Sequence, residues 1–181
     1  NHLKKEGRNN YETISRFKSL IKSCELFNAP DRKAKLFHNL AYEYYRSKNY
    51  EQAIFYYNQS MSLKNSESPY YLLSLEGYIR SSFEGELIPN DELIRLAEDG
   101  LIIAIRINQL LFIHLFRLSL YLIKSKEKEY FKYLDNKALP MFTEFGYTYL
   151  IQRSEKELFN YYSKINLPDK ALEMAKLILV T

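Results

Sequence analysis

Two small residues, each set beside large apolar ones, constrain this chain more than any other feature. In the stretch Ala34 to Ser60, AKLFHNLAYEYYRSKNYEQAIFYYNQS, Leu40-Ala41 is a large-small pair and Ala53 is followed by Tyr57. Phe37, Leu40 and Tyr44 recur at helical spacing, and Asn49-Tyr50 breaks the run into two helices. Small side chains at Ala41 and Ala53 let two antiparallel helices approach. Phe37, Leu40, Tyr44 and Tyr57 then fill the space around the crossing. Such a pair cannot bury its apolar face alone, so it calls for neighbours stacked on both sides. It implies a binding surface more than a reaction.

The rest of the composition agrees. The 181 residues suffice for one domain, and 46% hydrophobic with 27% charged residues is globular. Five Gly and five Pro are few, which argues for long helices and short connections. The 17 Tyr can pack helix seams with their rings and reach water or a ligand with their hydroxyls. The net charge is +4. The basic clusters Lys4-Lys5, Arg32-Lys33-Lys35 and Lys124-Lys126-Lys128 are interleaved with acids, which reads as solvated helix faces and not as a nucleic-acid contact. The same excess would attract a peptide carboxylate. Cys24 is the sole cysteine and is expected to be a small buried hydrophobe. With no apolar leader in NHLKKEGRNN, it suggests a reducing, cytoplasmic setting. That terminus also lacks an initiator Met, so the chain is expected to be a fragment of a longer protein. Leu101 to Ile123 is apolar enough to imitate a membrane span. Arg106, Asn108, Gln109, His114 and Arg117 interrupt it, and each central Arg costs about 2.5–3.5 kcal/mol on insertion scales. Two buried helices meeting at Asn108-Gln109 are expected instead.

The helical period runs throughout, with no strand-like alternation. Asn10 to Phe27 reads as one helix, with the end of an earlier helix before it. Pro30 stops it and Asp31 is available to cap the next. Helices follow over about 32–46, 51–63, 70–84 and 91–107, with Gly77 in the place of Ala41. Then come 110–124, 126–145 with a kink at Pro140, 147–164 and 168–180. About nine helices in one domain, 1–181, amount to about four and a half antiparallel pairs. The fold class is all-α, a tetratricopeptide-like superhelix. Leu177-Ile178-Leu179-Val180 leaves the last helix apolar all round, which predicts a homodimer.

The search for chemistry returns little. His2, His38 and His114 lack metal-ligand spacing, and no Gly-rich phosphate loop is present, so neither a metal nor a cofactor nor an enzyme activity is expected. Glu84, Glu86, Glu155 and Glu157 read as loop or solvated carboxylates. Binding residues are easier to place. If first helices line a concave face, His38, Asn39, Tyr42 and Tyr45 turn away from the packed side of theirs. Tyr71, Ser74 and Tyr78 take similar places on the next first helix, and His114 and Arg117 do so one pair later. An Asn amide both donates and accepts, so Asn39 can pair with the backbone of an extended peptide; it could equally be a solvated residue or a local cap. His38 reads as packing or bonding its neighbours. Arg117, in an apolar helix, needs a partner: a peptide carboxylate or a structural Glu.

At these residues the chain resembles the tetratricopeptide receptors of Gram-positive peptide signalling, the Rap–NprR–PlcR group. FHNLAYEYYRSKNYEQAIFYYNQSM, LIPNDELIRLAEDGLIIAIRINQLLFIHLF and the ending YLDNKALPMFTEFG…ELFNYYSKINLPDKALEMAK carry the likeness. The resemblance implies an intracellular quorum-sensing receptor that binds a short signalling peptide, with an Asn in an N-L-A setting holding the peptide backbone; Asn39 matches it. It implies an effector domain upstream: a DNA-binding domain in a transcription regulator, or a response-regulator phosphatase bundle. At the places matching Asn39 the later pairs have Leu75, Arg117 and roughly Glu157, so a ladder of Asn residues is not reproduced. The competing reading is a generic tetratricopeptide scaffold for protein–protein interaction.

Overall fold

The computed structural model describes residues 2–180, and among them every regular element is helical. The elements are α1 (His2–Leu26), α2 (Pro30–Arg46), α3 (Tyr50–Ser62), α4 (Pro69–Glu84), α5 (Asn90–Arg106), α6 (Leu110–Ile123), α7 (Glu127–Tyr133), a π turn (Leu134–Ala138), α8 (Leu139–Glu144), α9 (Thr148–Lys164) and α10 (Pro168–Val180). The fold is all-α and tetratricopeptide-like, built of helices packed in adjacent antiparallel pairs. No helix is long and apolar enough among the described residues to cross a membrane. Two compact units divide the chain, Asn1–Phe112 and Ile113–Thr181.

In the first unit each helix packs on the next: α1 on α2, α2 on α3, α3 on α4 and α4 on α5. The expected large-small crossing forms between α2 and α3. Leu40, Ala41 and Ala53 are fully buried in one cluster with Phe37, Tyr44, Tyr57 and Ile21. Gly77 carries the same logic to α4, because a Cβ there would lie 2.4 Å from Cζ of Tyr57. In the second unit α9 packs on α10 and on α8. Leu134, Ala138, Phe142 and Leu158 are buried there.

Seven helix ends among the described residues close in the same way. Asn28, Lys48, Glu86, Asn108, Ser125, Gly146 and Asn166 all take the left-handed conformation, with φ between 47° and 69°. The next N–H then reaches the carbonyl five residues back, as in Ala29 to Cys24 (3.0 Å), Asn49 to Tyr44 (2.9 Å) and Gln109 to Ala104 (2.8 Å). This satisfies carbonyls that the helix end would leave open and turns the chain within a few residues. Short turns of one kind are what place successive helices antiparallel.

Three local expectations change. Helix α1 runs unbroken from His2, so there is no earlier helix end before Asn10. Asp31 does not cap α2: Ala29 holds the N-cap position and Pro30 the first turn, while the Asp31 carboxylate accepts a hydrogen bond from Lys64 on the segment after α3. Pro140 does not simply kink one helix. It has no N–H and its ring crowds the carbonyl four residues before it, and the chain widens into the π turn just ahead. There Leu139 N–H bonds to Leu134 O.

Candidate functional site

The candidate site begins on α2. Its apolar residues Ala34, Phe37, Leu40, Ala41 and Tyr44 are buried, which turns Asn39 to solvent and leaves His38, Tyr42 and Tyr45 half-buried. Helices α2 and α4 touch directly, so first helices of successive pairs lie side by side. Asn39 sits on this face with its amide held by no hydrogen bond to another described residue.

His38 and Ser74 meet across the α2–α4 seam. Ser60 Oγ donates to Ala34 O at 2.8 Å, and Ser74 Oγ donates to Ser60 Oγ at 2.9 Å. With its proton so used, Ser74 accepts from His38, whose Nδ1 lies 3.1 Å away. The proton is therefore on Nδ1. The chain of bonds leaves α2 at His38, passes through α4 and α3, and returns to α2 at Ala34. Burial pushes the His38 pKa down to about 4, against the opposing pull of Glu76. The His38 ring also lies against Tyr57, with centroids 5.3 Å apart. Ser74 is fully buried, so its hydroxyl serves this network.

The tyrosines divide into two kinds. Tyr45 donates to Glu84 Oε1 at 2.8 Å, and Tyr50 reaches Glu84 Oε2 at 3.4 Å. Glu84 is exposed, as expected, and its carboxylate joins the end of α2, the start of α3 and the end of α4. Tyr42 stacks beside Tyr45 at 6.4 Å. Tyr71 is half-buried, and Tyr78 packs against the α2–α3 cluster. Burial, followed by nearby Glu92, raises the Tyr78 pKa.

Arg117 belongs to the second unit. It is exposed, and its partner is a tyrosine and not the expected Glu: its Nη1 donates to Tyr133 Oη at 3.3 Å. His114 is buried beside it, with Nδ1 2.9 Å from Tyr133 Oη. Burial lowers the His114 pKa, and so do the nearby charges of Arg117 and Lys137. Leu75 is buried, and Glu157 accepts from Tyr130 at 2.5 Å and Arg153 at 2.9 Å, so neither offers a free group at the place matching Asn39. Glu155, expected to be solvated, is instead buried.

Among the described residues no group of three or more His, Cys, Asp or Glu could hold a metal ion. Sequence reasoning missed Ser60, Glu84, Tyr133 and Lys137 as members of these networks. Helical spacing shows which residues share one helix face; it carries no signal for hydroxyls and carboxylates that meet from different helices.

No family model and no curated protein matches the sequence. Among solved structures the chain is similar to the apo form of the quorum sensor NprR from B. thuringiensis, with a TM-score of 0.65 and 20% identity. The match covers 93% of this chain and 48% of that one, so the chain spans about half the length of the solved relative. What the two have in common is the fold.

Proposed function

We propose that this chain is a peptide-receptor domain of a quorum-sensing regulator of the Rap–NprR–PlcR group. It binds a short linear signalling peptide along the α2–α4 face of the first unit. The observation that carries the reading is Asn39, solvent-facing and unengaged on a face where two first helices touch. A free amide supplies one donor and one acceptor to an extended backbone, as another strand would. Tyr42 follows one turn later on α2, Tyr71 and Tyr78 lie on α4, and the His38–Ser74–Ser60 bonds tie α2, α3 and α4 together. The similarity in fold to a quorum sensor supports the same assignment. In this reading the receptor works in the cytoplasm and controls an attached DNA-binding domain. A phosphatase bundle in that position would make it a regulatory domain of a response-regulator phosphatase instead, and the sequence upstream of Asn1 distinguishes the two.

Isothermal titration with synthetic peptides encoded beside the gene tests the proposal. Saturable binding of a short peptide, lost in Asn39→Ala, is expected. Absence of binding to any such peptide would leave a protein-interaction scaffold as the better reading.

A second copy of the chain is the proposed partner of α10. Leu172, Leu177, Ile178 and Leu179 are exposed on it. Beside them Leu167, Pro168, Leu172 and Ala175 border a groove of about 320 Å³.

A further inference from the structure

We propose that His114, Arg117, Tyr133 and Lys137 form a carboxylate-binding site on the second unit. The site is built around a fixed phenol. Tyr133 ends α7, and its ring lies between those of His114 (5.5 Å) and Tyr121 (5.6 Å). The Arg117 guanidinium stands 6.0 Å from the same ring. Hydrogen-bond directions follow from the donors. Arg117 donates to the Tyr133 oxygen, since a guanidinium cannot accept. The Tyr133 oxygen also lies within hydrogen-bond distance of His114 Nδ1, at 2.9 Å.

The charges are unbalanced. Arg117 and Lys137 are both exposed, and neither has an ion-pair partner among the described residues. Both stand close enough to His114 to disfavour its protonation. Two acids close in sequence are engaged elsewhere. Asp135 accepts from Tyr162 at 2.6 Å and Lys170 at 3.4 Å, and Glu127 accepts from Lys164 at 2.7 Å. Glu157 is taken by Tyr130 and Arg153. Two unpaired cations, one of them a guanidinium held in place, match an oxyanion, and the planar fork matches a carboxylate best. The π turn contributes, because it begins directly after Tyr133 and carries Lys137.

The site stands independently of the α2–α4 face. The test uses the whole chain, labelled with ¹⁵N, at neutral pH. Sodium acetate, sodium phosphate and sodium chloride are titrated at matched ionic strength, and the Arg117 Nε–H and His114 ring signals are followed. Acetate is expected to shift both saturably and to raise the His114 titration midpoint, while chloride does neither. Arg117→Gln and Lys137→Gln, both at exposed positions, are expected to weaken acetate binding at least tenfold with the backbone spectrum otherwise unchanged. Asn39→Ala is expected to leave it intact. Equal shifts in chloride, or saturable acetate binding that survives both substitutions, would overturn the site. Saturation by phosphate but not by acetate would overturn the carboxylate assignment.

Discussion

The ring of Tyr57 occupies the space that a side chain at Gly77 would need. A Cβ on Gly77 would meet Tyr57 Cζ at 2.4 Å and Oη at 2.8 Å. Tyr57 is 2% exposed and its ring lies against His38, so it has little room to swing aside. Glycine inside a helix ordinarily costs about 1 kcal/mol against alanine. Here the crossing outweighs propensity. Gly77→Ala is expected to destabilise by about 1–3 kcal/mol, and Gly77→Leu by more. Combining Gly77→Ala with Tyr57→Leu should recover part of the loss, measured as coupling in a chemical denaturation cycle. Strictly additive losses would mean that the two residues do not share this space.

His38 should make stability depend on pH. Its folded pKa, about 4, lies below the ordinary value of 6.5, so the unfolded chain binds the proton first. Stability conferred by neutral His38 is therefore complete above pH 6.5 and falls as the pH drops from there toward 4. A shift of this size corresponds to at most about 3 kcal/mol. Melting curves between pH 7 and pH 4 should fall less steeply for His38→Gln than for the parent. Parallel curves would remove His38 as the cause.

Gly146 has φ +69°, and beyond its own chain neighbours no atom lies within 4 Å of the place a Cβ would take there, so backbone strain alone opposes substitution. Gly146→Ala is expected to cost about 1 kcal/mol, which lowers Tm by about 2–4 °C for a chain of this size. Lys48→Gly, at φ +58°, should leave stability unchanged or raise it by a few tenths of that cost. A stabilising Gly146→Ala would show that the turn does not require the left-handed conformation.

On the α2–α4 face, Asn39→Ala is expected to weaken peptide binding by about 1–3 kcal/mol, because peptide groups would be left desolvated and unpaired. Thermal stability should barely change, since Asn39 is exposed. A sharp drop in Tm with intact peptide affinity would make Asn39 a structural residue.

Dimerisation through α10 should be visible in sedimentation at tens of micromolar, on the order of a weak dimer's dissociation constant. Leu172→Lys and Leu179→Lys, both at exposed positions, should shift the chain to monomer without unfolding it. A parent that sediments as a monomer in this range would count against the interface.

Helical period and side-chain size, both written along the chain, were enough to set the helices, their boundaries to within a residue or two at most ends, and the small residues at the crossings. Those are local quantities. Ala41, Ala53 and Gly77 stand out by them, and Asn39 is turned outward by the same period. The left-handed turns were legible only as breaks, because six of the seven residues that adopt them are not glycine. Which polar groups meet was settled by the stacking of the helices. The His38–Ser74–Ser60 bonds join three helices, Glu84 gathers two tyrosines from elsewhere, and Arg117 finds Tyr133 instead of a carboxylate. Hydrogen bonds act over about 3 Å between residues far apart in sequence, so their partners are fixed by how helices stack and not by spacing along any one of them.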